Sequence, residues 1–106
     1  METLNIDELL DAVNDKITQI HPEFNAIKIN DTTIRIYLDK KSILTLDFVP
    51  SENDDYFVIS TDYMGLKDVI DFEPNDNTLL LSKITDSLMN LNLTEKEIIV
   101  IWNSNN

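Results

Sequence analysis

The sequence predicts an α+β domain: an antiparallel sheet of about five strands with two helices packed on one face, in the order α-β-β-β-β-α-β. Three observations lead there. Apolar residues recur at helical spacing over residues 5–20 and 78–91. Between them, from Phe24 to Ser60, the period changes to two. The alternating runs are joined by connections short enough for antiparallel neighbours.

In the first helix, Ile6, Leu9, Leu10, Val13, Ile17 and Ile20 form one apolar stripe. Asn5 and Glu8 have the spacing of a capping box, and Pro22 ends the helix because the residue before a proline avoids helical dihedrals. The opposite face carries Asp7, Asp11 and Asp15 in a line. Like charges four residues apart cost a few tenths of a kcal/mol per pair, about 0.2–0.5.

Four strands follow. Ile27 and Ile29 alternate with Lys28, and Asn30-Asp31 makes a turn. Ile34, Ile36 and Leu38 alternate with Arg35 and Tyr37, before a second turn at Asp39-Lys40-Lys41. Leu44, Leu46 and Phe48 alternate with Thr45 and Asp47. After a polar loop, Phe57 and Ile59 alternate with Tyr56, Val58 and Ser60. This alternation puts Lys28, Arg35, Tyr37, Asp39, Thr45, Asp47, Tyr56 and Ser60 on an open face.

From Asp62 to Asn77 the chain reads as an irregular crossover. Within it, Val69, Ile70 and Phe72 fit either a short strand or an apolar plug. Gly65, the only glycine, marks a backbone turn. In the second helix Leu80, Leu81, Ile84, Leu88 and Leu91 point inward, while Leu79 and Met89 lie off the stripe and suggest burial on more than one side. Asp76 or Asn77 caps it. The β-branched run Ile98-Ile99-Val100-Ile101-Trp102 is expected as a final strand, followed by a loose tail.

A chain of 106 residues with 42% hydrophobic content makes one domain, 1–106, with a real core. It has no cysteine, hence no disulfide, thiolate zinc site or cysteine nucleophile. Met1-Glu2-Thr3-Leu4 lacks the basic start of a signal peptide, and no apolar run approaches the roughly 20 residues of a membrane span. A cytoplasmic, soluble protein is expected. Twelve asparagines and fourteen isoleucines suit an AT-rich genome, such as that of a low-GC bacterium or its phages.

The net charge of −12 disfavours direct binding to nucleic acid or anionic membranes and favours a basic protein partner. The acids concentrate between Pro50 and Asn77. Glu52, Asp54, Asp55, Asp62, Asp68, Asp71, Glu73 and Asp76 stand there with a single lysine, Lys67. These carboxylates, with Tyr63 as an apolar contact and the helix stripe Asp7, Asp11 and Asp15, are the candidate partner-binding residues.

No catalytic or cofactor set is expected. The one histidine, His21, sits at a helix end, and no serine or threonine carries a nucleophile motif. One glycine rules out glycine-rich phosphate loops. Asp71, Glu73 and Asp76, with Asn75 and Asn77, could offer oxygen ligands to calcium or magnesium, but they lack the EF-hand pattern, so no metal site is assigned.

The first functional expectation is therefore a non-enzymatic binding module that blocks or regulates a basic protein. In one version its carboxylates stand in for phosphates, as a phage anti-defence inhibitor or an immunity-type protein would use them. The alternatives are an assembly or chaperone subunit, or a homodimer whose acidity serves solubility, and a weak divalent-metal binder.

Overall fold

The structure, a computed structural model, describes residues 4–52 and 55–90. The order is α1 (Ile6–Ile20), β1 (Phe24–Asn30), β2 (Thr33–Leu38), β3 (Lys41–Pro50), β4 (Tyr56–Asp62), β5 (Lys67–Phe72) and α2 (Thr78–Asn90). All five strands form one antiparallel sheet in sequential order. The α+β class, the two helices and the five-stranded antiparallel sheet stand as predicted. The fifth described strand is β5, which settles the choice at Val69–Phe72 in favour of a strand and confines the irregular part of 62–77 to the turns on either side of it. The strand and tail expected beyond residue 90 lie outside the described residues, as does Leu91.

α1 begins where Asn5 Oδ1 accepts the Glu8 backbone N–H at 3.1 Å, with Asn5 Nδ2 donating back to the Glu8 carboxylate at 3.3 Å. Its buried stripe is Ile6, Leu9, Val13 and Ile17. α2 buries Leu80, Ile84 and Leu88. Both stripes join Ile34, Ile36, Leu44, Leu46, Phe48 and Val58 in a single core. Each such aliphatic side chain contributes about 1.5–3 kcal/mol by leaving water. Leu79 and Met89 are exposed, so α2 buries one side only, contrary to the expectation from its apolar content.

The register assigns the faces. Cross-strand partners share a face, and one inner row runs Ala26–Ile36–Leu44 while another runs Phe48–Val58–Ile70. Strands β2 and β3 face as predicted. Strands β1 and β4 are inverted relative to the sequence reading. Phe24 and Ala26 are buried while Ile27 and Ile29 are exposed, and Val58 and Ser60 are buried while Phe57 is exposed. Both strands carry apolar residues on both faces, so alternation alone could not orient them, and neighbouring partners decided. Tyr56, Ser60 and Lys28 thus leave the predicted open-face set. Lys28 lies on the helix side, where its Nζ reaches Asp7 of α1 at 3.1 Å.

A bulge between Ile36 and Tyr37 inserts Ile43 as an extra residue of β3. That lets Ile43 and Leu44, adjacent in sequence, both be buried. Asp39, in the β2–β3 turn, takes φ 54°, a left-handed conformation that aspartate tolerates better than most residues.

One side chain ties α1 to the backbone of the sheet edge. Asn14 Nδ2 donates to the Ala26 carbonyl at 2.9 Å, and the Ala26 N–H donates to Asn14 Oδ1 at 2.8 Å. The amide reproduces the bonding of a neighbouring strand on the outer edge of β1. Asn14→Ala strips both partners from a half-covered edge and is expected to cost about 1–3 kcal/mol in urea unfolding. Asn14→Asp also destabilises, because a carboxylate cannot donate to the carbonyl. An aspartate variant as stable as wild type would refute the two-bond geometry.

Candidate functional site

Three sheet connections meet at one end of the domain. They are the β1–β2 turn, the β3–β4 loop and the β5–α2 segment, since the ladder ends there in the set Pro50–Tyr56–Phe72. The start of α1 lies at this end too. Leu4, Asn5, Glu8 and Leu9 face Phe72, Pro74, Asn75 and Asn77 across a groove of about 440 Å³.

Beside that groove is an acid-rimmed cleft of about 390 Å³. Asp55, Asp71, Glu73 and Asp76 stand around an apolar wall of Tyr56, Phe57, Phe72 and Leu79. The β3–β4 loop is closed by the Ser51 N–H and Oγ, both donating to the Asp55 carbonyl at 2.9 and 3.0 Å, which fixes the backbone at Asp55. Phe72 is buried and packs edge-on against Phe48, with ring centroids 5.5 Å apart. Phe57 and Leu79 remain 43% and 51% exposed, so apolar surface is available inside the ring of carboxylates.

Asp76 has a structural duty as well. Its Oδ1 accepts the Thr78 backbone N–H at 3.1 Å at the first turn of α2. That bond, followed by one from the Thr78 side chain, holds the Asp76 carboxyl below its ordinary value, slightly opposed by desolvation.

The sequence-predicted site residues separate into three groups. Asp55, Asp71, Glu73 and Asp76 come together in the cleft, with exposed Glu52 beside it next to Phe57. Asp54 lies outside the described residues. Asp62 and Tyr63 belong to the opposite end, in the β4–β5 turn. There Asp62 Oδ1 accepts the backbone N–H groups of Met64 and Leu66, both at 2.9 Å. Gly65 completes that turn at φ 84°, its N–H donating to the Asp62 carbonyl at 3.0 Å. Tyr63 packs on the core. Asp68 pairs with Ser60 near the same end. The third group, Asp7, Asp11 and Asp15, is exposed along α1, with Asp7 bound to Lys28.

Phe57 and Leu79 were not among the predicted site residues. The signal for Leu79 was its place off the apolar stripe of α2. For Phe57 there was none, because the sequence reading turned it inward. Among the described residues no group of three His, Cys, Asp or Glu side chains is arranged to hold a metal ion. No helix of the described residues is long and apolar enough to cross a membrane. No protein-family model matches the chain, and neither a curated protein nor a solved structure matches it.

The Asp76 cap has a pH signature. Folding lowers this pKa, so the contribution is complete above the usual aspartate value of about 3.9 and is lost as pH falls through the lower folded value. Asp76→Ala should lower Tm at neutral pH, and its gap from wild type should close as melts are taken below the aspartate range. A gap that persists unchanged in strong acid would contradict the cap.

Proposed function

We infer that the protein is a small non-catalytic binding module that seats a basic segment of a partner protein in the cleft between the β3–β4 loop and the start of α2. Blocking or regulating the partner, in the cytoplasm, is the role this gives it. The convergence of Asp55, Asp71, Glu73 and Asp76 around exposed Phe57 and Leu79 carries the reading. An arginine or lysine has a cationic head and an apolar stem, and such a cleft answers both parts. The ion pairs among the described residues are Lys28 with Asp7 and Lys28 with Asp31, so none of them engages the four cleft carboxylates.

The surrounding charge supports the same reading. Asp7, Glu8 and Asp31 lie at this end of the domain with Lys28, whereas at the other end Lys40, Lys41 and Lys67 offset Asp39, Asp62 and Asp68. A chain of net charge −12 with this polarity steers a cationic partner toward the acidic end. Mimicry of nucleic acid would extend the contact along the α1 stripe. That stripe offers a carboxylate about every 6 Å of helix axis, against a phosphate about every 3.4 Å per DNA strand. The convergent cleft therefore favours gripping a basic side chain over imitating a phosphate backbone.

Titration with an arginine-rich peptide tests the proposal. Binding should weaken steeply with salt. Asp55→Lys with Glu73→Lys should lose at least about tenfold in affinity, equivalent to about 1.4 kcal/mol. Asp11→Lys with Asp15→Lys on α1 should lose much less. Equal losses from the two pairs would reduce the effect to net charge and overturn the cleft as the site.

A further inference from the structure

The two edges of the sheet are finished differently. On β1 the Asn14 amide occupies the Ala26 N–H and C=O. On β5, among the described residues, no further strand pairs with the outer side. The hydrogen-bond parity shows which groups face out. In the β4–β5 hairpin the Asp62 N–H donates to the Leu66 carbonyl at 3.0 Å, so even-numbered β5 residues turn their backbone groups toward β4. Lys67, Val69 and Asp71 turn theirs outward. Val69 bears this out: its N–H donates to Asp68 Oδ1 at 2.9 Å, away from the ladder.

We propose that this edge pairs with the same edge of a second copy, antiparallel about a two-fold axis through Val69, joining the sheets of the two copies into one. The outward parity restricts the hydrogen-bonded pairs to odd-numbered residues, and three registers pair Val69 with its own copy or with a neighbouring odd residue. In the register centred on Val69, Val69 faces its own copy and Lys67 faces Asp71 on both sides of the axis. A shift one way sets Val69 against Lys67 and Asp71 against Gly65. A shift the other way sets Val69 against Asp71. The centred register alone matches apolar with apolar and cation with anion throughout.

The outer face gains from the same register. Ile59 is the cross-strand partner of Val69, so an apolar row of Ile59, Val69 and their copies would run across the seam. Val69 is 61% exposed without it. Asp68 gives up the Val69 N–H to the incoming carbonyl and remains in water. The charge of −12 on each chain opposes association, which makes the sign of residue 67 decisive.

Sedimentation velocity of the full chain from micromolar to millimolar concentration tests this without any partner protein, so its outcome is read apart from the peptide titration although Asp71 belongs to both surfaces. A concentration-dependent dimer is expected. K67E should raise its dissociation constant at least about tenfold, and K67E/D71K should recover most of that loss. Circular dichroism checks that each variant is folded. A monomer at every concentration, a dimer indifferent to K67E, or a folded double variant that fails to recover would each overturn the proposal. Hydrogen exchange supplies a second readout: the Val69 and Asp71 amides should gain protection as concentration rises. Protection independent of concentration would mean that the edge is closed within one chain, and would overturn it as well.

Discussion

The Asn14 amide, held between the N–H and C=O of Ala26, fixes where α1 lies on the sheet. The described meander buries one face, and its helices could slide along that face at little cost, because burial has no direction. Two hydrogen bonds from one side chain remove that freedom. They set Val13 and Ile17 over the sheet, where both are fully buried. They also bring the start of α1 to the end of the domain where Phe72 and the β5–α2 segment lie. The Lys28–Asp7 pair at 3.1 Å is consistent with that placement. Being half-exposed, it adds little stability of its own.

The charge distribution follows from strand parity. In an up-and-down meander every second connection falls at the same end. The β1–β2, β3–β4 and β5–α2 connections carry Asp31, Glu52, Asp55, Glu73 and Asp76, and all fall at one end. The β2–β3 and β4–β5 connections, where Lys40, Lys41 and Lys67 balance Asp39, Asp62 and Asp68, fall at the other. A chain whose acids look like one block in sequence thus has two dissimilar ends. Asp62 shows why counting carboxylates is not enough: its side chain is committed to two backbone N–H groups of its own turn.

Much of this was legible in the sequence, for identifiable reasons. α1 was clear because a stripe, a capping residue and a proline agree. β2 and β3 were clear because only one face of each is apolar. β1 and β4 were not, since Phe24, Ala26, Ile27 and Ile29 offer two apolar faces, and Phe57, Val58 and Ile59 do the same. β5 was obscured by three charged residues in six positions, Lys67, Asp68 and Asp71. An edge strand tolerates them because only Ile70 and Phe72 need be buried. Once β5 is a strand, Asp71, Glu73 and Asp76 move to the end that holds Asp55. The cleft could not be foreseen without that one element.

The two edge devices differ in a way that bears on what each edge can do. Asn14 is carried by a helix whose neighbours Val13 and Ile17 are fully buried, so its amide cannot withdraw without disturbing the core. Asp68 is exposed, and its carboxylate reaches only the next residue's N–H. Releasing that bond returns a carboxylate to water, which solvates it well, and frees a backbone donor that an incoming carbonyl can accept. The exchange trades one hydrogen bond for another, so its net cost is small. A charged residue at an edge is usually read as protection against strand addition. Here the same strand also carries Lys67 and Asp71, opposite in sign and equally spaced about Val69. The edge therefore repels an arbitrary strand while remaining matched to one that runs antiparallel with the same spacing of opposite charges.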